Sequence, residues 1–95
     1  MSAPRKRLPN RRACMSCSFE YEGHVYRATA GRFADGRLGE LFLNTGKLGS
    51  PMQANADNAA ILASLLLQHG VSPEVIRHSV TGPIALAIAK FEGEQ

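Results

Sequence analysis

The strongest constraint on the fold of this chain is a change of hydrophobic periodicity near residue 45. Between Cys14 and Asn44, apolar side chains recur at every second position in short runs, which is typical of strands that bury one face. After Met52 the chain becomes rich in Ala, Leu and Ile at helical spacing. A run of strands followed by a run of helices predicts an α+β fold.

The first half of the chain predicts a three-stranded antiparallel meander. The predicted strands are residues 14–21, 24–33 and 38–44. Glu22-Gly23 joins the first two as a tight turn, and Asp35-Gly36 lies in the hairpin turn between the second and third. A sheet of this size needs a cover on one face, so the following helices are expected to pack on it.

Two or three helices are predicted after the sheet. The long one covers residues 53–69 and packs on the sheet, with Gly70 as its C-terminal cap. Ser72-Pro73 is typical of a helix start and opens a second helix over residues 73–80. Residues 84–91 are Ala-rich, which favours a helix, although their alternation leaves a strand as the alternative.

The long helix has an unusually narrow polar stripe. Asp57, Ser64 and Gln68 form the stripe, and Ile61 interrupts it. So narrow a stripe predicts a helix that is buried over most of its girth, which one three-stranded sheet does not cover. We therefore expect further helices or a second copy of the chain, and predict a homodimer or a docked partner.

Length and charge predict a small domain with a basic arm. The chain has 95 residues, 44% of them hydrophobic, which suits one domain and excludes large enzyme architectures. Residues 1–12 carry five bases and no acid, whereas residues 13–95 carry six bases and eight acids. The predicted organisation is a flexible arm over 1–12, one α+β domain over 13–92 and a tail over 93–95. A short extended segment across the body is the alternative for the arm.

The basic arm is a candidate nucleic-acid contact. Its cations are Arg5, Lys6, Arg7, Arg11 and Arg12. Such a cluster predicts salt-sensitive binding to DNA or RNA phosphates. The rest of the chain lacks a basic patch and has few aromatic residues for base stacking, which favours a solvated tail instead.

Two further motifs are candidate sites. Lys47, Gly49 and Ser50 precede the long helix and predict an anion or nucleotide-phosphate site, with a plain sheet-to-helix connection as the alternative. Cys14 and Cys17 have the C-x-x-C spacing of half a metal site, which two chains together would complete, with ordinary strand residues as the alternative. No catalytic residues and no cofactor are predicted.

Cellular location is predicted from what the chain does not contain. It has no run of 18 apolar residues and no secretory signal pattern, so no contact with a membrane is expected. Two cysteines in a chain without an export signal suggest a reducing, cytoplasmic setting.

Three short motifs in succession carry a family resemblance. Residues 36–43 read G-R-L-G-E-L-F-L, residues 46–50 read G-K-L-G-S, and residues 59–71 read A-A-I-L-A-S-L-L-L-Q-H-G-V. This order resembles the TSCPD domain, which occurs near the C-terminus of vitamin B12-dependent ribonucleotide reductases and as small stand-alone proteins. The resemblance covers about residues 19–80.

The resemblance implies a non-catalytic accessory or regulatory module that acts with such a reductase or binds a nucleotide phosphate. The T-S-C-P-D motif that names the domain is absent, because the chain after Val80 continues Thr81-Gly82-Pro83. No C-terminal metal or redox site is therefore carried over. Radical nucleotide reduction needs a large barrel, which 95 residues do not supply.

Overall fold

The computed structural model describes residues 4–10, 12–47 and 49–92. Its elements are β1 (Cys14–Tyr21), β2 (His24–Arg32), β3 (Leu38–Asn44), α1 (Pro51–Gln68), α2 (Pro73–Ser79) and α3 (Pro83–Glu92). The strands form one antiparallel sheet in the order β1-β2-β3. The α+β prediction is confirmed, and residues 84–91 are helical, so the strand alternative for them is wrong.

Both predicted turns are present. Glu22 and Gly23 have φ values of 50° and 82°, a left-handed pair that suits the twist of a two-residue hairpin. In the second turn Asp35 Oδ1 accepts a hydrogen bond from the backbone N–H of Arg37 at 3.0 Å, and Gly36 has a φ of 92°. The pairing of β2 with β3 shifts register between Gly31 and Arg32.

Helix α1 begins two residues before the predicted start. Ser50 is its N-cap, and the Ser50 hydroxyl accepts from the backbone N–H of Gln53 at 3.1 Å. Pro51 follows at the first helical position, where its missing N–H costs nothing. At the other end Gly70 has a φ of 95°, and Val71 N donates to Leu66 O at 3.0 Å.

The core lies between one face of the sheet and the helices. Residues of the inner sheet face are Tyr26, Ala28, Ala30, Leu41 and Leu43, which pack with the alanines of α1 and with Ile84, Ile88 and Phe91 of α3. Helix α1 packs mainly on the edge strand β3. No element among the described residues covers the other face of the sheet, which we call the open sheet face.

The polar stripe of α1 faces the sheet edge. Ser64 Oγ accepts from Leu41 N at 2.8 Å and donates to Leu41 O at 3.2 Å. Gln53 Nε2 donates to Leu43 O at 3.1 Å, and Gln68 Nε2 donates to Gly39 O at 3.0 Å. These bonds satisfy the outer backbone groups of β3, which an edge strand otherwise leaves unpaired.

Within one chain α1 is not buried over most of its girth, and cover of its outer face by a second copy stays a prediction. Because its polar side chains bond to β3, its apolar side chains Ile61, Leu62 and Leu66 lie in solvent. The periodicity placed the polar residues on one stripe but did not show which stripe faces inward.

The N-terminal segment lies across the body. The backbone N–H of Lys6 donates to Gln68 O at 2.7 Å. The side chain of Leu8 packs at Gly39, where an added Cβ would lie 3.0 Å from it. These contacts correspond to the extended alternative for this segment, and the flexibility assigned to residues 1–12 stays a prediction.

Within the described ranges, none of the helices is both long and apolar enough to span a membrane.

Candidate functional site

The loop before α1 holds the residues of the predicted anion site. Ser50 Oγ donates to Lys47 O at 2.6 Å while it caps α1, so both hydrogen-bonding roles of this hydroxyl are used within the loop. Gly46 N donates to Asn44 Oδ1 at 2.7 Å, and Lys47 N donates to Thr45 Oγ1 at 3.2 Å. An anion here would compete with these bonds for the Ser50 hydroxyl and for the backbone N–H groups of Gly46 and Lys47, whereas the Lys47 side chain is exposed.

Anion binding by Lys47, Gly49 and Ser50 stays a prediction. Gly49 has a φ of 77° and is exposed at the end of the loop. Leu48, between them, lies outside the described residues.

Strand geometry separates the two cysteines. Cys14 pairs with Gly31 and is exposed on the open sheet face, whereas Cys17 pairs with Ala28 and packs against the core. Residues three apart in a strand point to opposite faces, so one chain does not direct both thiols at a single ion. Among the described residues, no group of three or more His, Cys, Asp or Glu side chains is arranged to hold a metal.

Cations of the basic segment contact the body rather than forming one cluster. Arg5 Nε donates to Gln68 Oε1 at 2.6 Å, and the Lys6 ammonium lies 5.2 Å from the ring centre of Phe33. Arg12 forms an ion pair with Glu40. Arg7 is exposed, and Arg11 lies outside the described residues. Nucleic-acid binding by this segment stays a prediction.

The Arg12–Glu40 pair is the most shielded ion pair of the described chain. Glu40 lies on β3 next to Gly31 of β2, and the absent side chain at Gly31 leaves room for the carboxylate. The hydrogen bond to Glu40 raises the pKa of the Arg12 guanidinium above its ordinary value. Alternation predicted Glu40 on the face away from Leu41, but it did not predict that Arg12 and Gly31 would bury it.

The outward side of α1 presents an apolar surface beside a groove. We call Ile61, Leu62, Leu65 and Leu66 the α1 apolar face. The groove, of about 430 Å³, lies between α1 and β3. Phe42, Ile61 and Leu65 line it, with Asp57 towards one end and Arg5 towards the other.

Sequence reasoning found part of this surface. Ile61 interrupts the polar stripe, and the narrowness of that stripe predicts apolar surface on the helix that the sheet does not cover. Phe42 and Arg5 join the surface through the β3 edge and the N-terminal segment, and no local pattern places either residue beside α1.

The open sheet face is the second unpartnered surface. Across it lie Ser16, Thr29 and Phe42 in one row, and the Ser16 and Thr29 hydroxyls are hydrogen-bonded at 3.1 Å. Arg27 lies in the next row, and Val25 lies beyond it. Val25 is 64% exposed and Phe42 is 54% exposed, so the face carries two large apolar side chains and a cation.

Comparison with protein families matches residues 3–94 to the TSCPD domain. The chain is similar to the vitamin B12-dependent ribonucleotide reductase of Agrobacterium fabrum strain C58, with 40% identity over 74 residues, 78% of this chain and 6% of the relative. The reductase of the same name from Rhodopirellula baltica is 36% identical over 72 residues, 76% of this chain and 7% of the relative.

A third similar reductase of this name, from Streptantibioticus cattleyicolor, is 40% identical over 70 residues, 74% of this chain and 12% of the relative. The chain therefore spans only 6% to 12% of the length of these three relatives. No solved structure matches the chain significantly.

Proposed function

The chain belongs to the TSCPD domain family, and from this premise we propose that it is a non-catalytic accessory module that binds a vitamin B12-dependent ribonucleotide reductase. The matched region is a small part of each relative, so this chain corresponds to one module of a much longer protein. A module of this kind acts by contact with the part of the reductase that performs nucleotide reduction.

One observation carries the docking role. Val25 and Phe42 are large apolar side chains of the sheet that lie in solvent, on a face that no described element covers. Exposed apolar residues on a small domain are typical of protein contacts.

The open sheet face is the surface that we assign to the reductase. Val25 and Phe42 flank the row of Arg27, so the face offers two apolar anchors and one cation between them. Large apolar anchors supply most of the affinity at protein interfaces, and a nearby charge fixes orientation.

The test is direct binding between the purified chain and the purified cobalamin-loaded reductase of its own cell, measured by biolayer interferometry. We expect binding that Val25→Asp and Phe42→Asp each weaken about tenfold or more, equal to about 1.4 kcal/mol. Val75→Asp on α2 is the matched control, because Val75 is 55% exposed and Phe42 is 54% exposed. Circular dichroism of each variant checks that the fold is kept.

Two results would overturn the proposal. One is the absence of binding at protein concentrations up to about 100 μM, where even weak signalling contacts are populated. The other is binding that Val75→Asp weakens as much as Phe42→Asp does, because the contact then does not involve the open sheet face.

A further inference from the structure

The α1 apolar face places large hydrophobic side chains in solvent. Leu62 is 62% exposed, and Ile61 and Leu66 are also exposed, although all three are large hydrophobic residues. The four residues of the face lie within about 8 Å along the helix axis, because the rise is about 1.5 Å per residue. They border the groove of about 430 Å³ between α1 and β3.

The groove has opposite charges at its two ends. Asp57 Oδ1 accepts a hydrogen bond only from the neutral Gln53 amide, at 2.7 Å, among the bonds that the described residues form. Arg5 is bonded to the neutral Gln68 amide at the other end. Neither side chain forms an ion pair with another described residue. Glu40 also lines the groove, but Arg12 neutralises it.

This charge order is self-complementary. Asp57 and Gln68 are eleven residues apart, so the two charges lie about 16 Å apart along α1. A two-fold axis that lies beside α1, perpendicular to the helix and level with residues 62 and 63, generates a second α1 antiparallel to the first. Position 57 of each helix then lies level with position 68 of the other. The same axis places the apolar residues at the centre of the contact.

We propose that the α1 apolar face binds the same face of a second copy of this chain, with the two α1 helices antiparallel. Asp57 of each copy then faces Arg5 of the other, so one symmetric contact forms two charge pairs. The apolar residues at its centre are removed from water, which supplies the driving force. This inference goes beyond the proposed function, which uses the open sheet face; Phe42 lies on that face and also lines the groove.

A second copy fits this face better than an unrelated partner does. An unrelated partner would need an acid and a base with the same spacing and the reverse order around an apolar patch. A second copy has that arrangement by symmetry. The patch is smaller than the surface that standard interfaces bury, so we expect a dissociation constant of about 1 to 100 μM.

The first measurement is sedimentation equilibrium of the full chain from about 1 to about 500 μM, a range that brackets the expected dissociation constant. We expect a species of twice the 10.2 kDa mass of one chain. Leu62→Asp should make the protein monomeric over this range. Val25→Asp is the matched control and should leave the dimer intact, because Val25 is 64% exposed and Leu62 is 62% exposed.

The second measurement tests the symmetry by charge reversal. Asp57→Arg places cations at both ends of the groove, and Arg5→Asp places acids at both ends. Each variant alone should dimerise at least about tenfold more weakly, since like charges then meet twice. An equimolar mixture should recover the wild-type affinity as a heterodimer, because both contacts become attractive.

A mixing control separates the proposed contact from simple attraction between oppositely charged proteins. Glu20→Arg and Arg27→Asp make the same charge changes on the open sheet face, and their mixture should show only the wild-type homodimer affinity. Asp57→Asn and Arg5→Gln are milder variants that retain hydrogen-bonding groups, in case a reversal unfolds the chain. Each should weaken the dimer by less than its charge reversal does.

Three results would overturn this proposal. They are a monomer throughout the concentration range, a dimer that survives Leu62→Asp, and a mixture of charge-reversed variants that stays monomeric while both remain folded. None of these results bears on binding to the reductase, which Val25→Asp tests separately, because Phe42 lines the groove and Val25 does not. The two proposals therefore fail independently.

Discussion

At the scale of single residues, the shielded Glu40 carboxylate depends on two neighbours that are far away in sequence. Arg12 supplies the opposite charge, and Gly31 across the sheet supplies space. A Cβ atom at position 31 would lie 2.8 Å from Cγ of Glu40, closer than real contacts of that kind. The ion pair between Arg12 and Glu40 therefore depends on a residue without a side chain at position 31.

Gly31→Ala is expected to lower the free energy of unfolding by about 1–3 kcal/mol, a cost typical of overpacking in a closed site. The added methyl group displaces the Glu40 side chain and stretches its bond to Arg12. Urea unfolding followed by circular dichroism measures the change. In a Glu40→Ala background the same substitution should cost much less, and an equal cost in both backgrounds would contradict this explanation.

Asp35 in the second hairpin turn predicts a pH effect. Hydrogen bonds from the Arg37 backbone and from the Arg37 side chain hold the pKa of Asp35 below its ordinary 3.8. A carboxyl whose pKa is lower in the folded chain stabilises the fold above the unfolded pKa, and this stabilisation is lost as pH falls through the folded pKa. The wild type should therefore melt at a higher temperature than Asp35→Asn at pH 7.

Thermal melts of both proteins between about pH 2 and pH 7 check this expectation. The difference in Tm should stay constant above about pH 5 and shrink as pH falls further, because Asp35 becomes protonated and both side chains are then neutral. A difference that persists unchanged at the lowest pH would show that the turn needs the shape of Asp35 rather than its charge.

At the scale of elements, the sequence predicted which residues share a face more reliably than which face is buried. The alternation predicted for residues 14–21 agrees with the burial of Phe19, and Gly70 ends α1 as expected. Local turn chemistry and period-two patterns determine such features. The polar stripe of α1 was misjudged because a hydrogen bond to the edge of a sheet needs a partner that only the folded chain provides.

The candidate sites likewise divide into features that local patterns indicate and features that depend on the folded chain. The C-x-x-C spacing suggests a metal site shared between two chains, which stays a prediction, and within one chain a strand directs Cys14 and Cys17 to opposite faces. Conversely, the groove beside α1 could not be foreseen, because Arg5 reaches it only after the N-terminal segment crosses the body. Arg5 and the groove residues are far apart in the sequence, so no local pattern indicates that they are neighbours in the fold.

Ser64→Ala tests the polar attachment of α1 to β3. The substitution leaves both Leu41 N and Leu41 O without their present partner, so we expect a loss of about 1–3 kcal/mol in the free energy of unfolding. Ser79→Ala is the matched control, because the exposed Ser79 hydroxyl bonds only to Val75 O of its own helix. It should change stability by less than about 0.5 kcal/mol.

Chemical denaturation of both variants under the same conditions measures this difference. If Ser64→Ala were as stable as Ser79→Ala, the bonds of α1 to the strand edge would contribute nothing net. Apolar packing of the α1 alanines would then account for all of the stability with which α1 is attached to β3.

At the scale of the whole molecule, the N-terminal segment adds contacts to α1 and β3, which also pack directly on each other. It bonds to the C-terminal end of α1 through Lys6 N, packs at Gly39 of β3 through Leu8, and shields Glu40 through Arg12. The same segment carries Arg5 to the α1 apolar face. A stretch that composition alone marks as a basic arm thus acts as a strap over α1 and β3.

Removal of residues 1–9 should therefore change both stability and self-association. Loss of the Leu8 packing and of the Lys6 N–Gln68 O bond should lower the free energy of unfolding by about 1–2 kcal/mol, or Tm by about 5–10 °C. Loss of Arg5 removes one charge of each proposed pair, so the dimer should also dissociate at higher protein concentration. Calorimetry and sedimentation equilibrium of the same samples measure the two effects.

Arg7→Ala is the control, because it removes a cation from the same segment at an exposed position and keeps the strap contacts. It should leave Tm and self-association unchanged. Fluorescence anisotropy with short DNA and RNA at low salt tests whether the segment instead binds nucleic acid. If it does, binding should weaken both in the truncated chain and in Arg7→Ala, in proportion to the positive charge removed. A truncated chain that melts like the full chain and loses only nucleic-acid binding would contradict the strap.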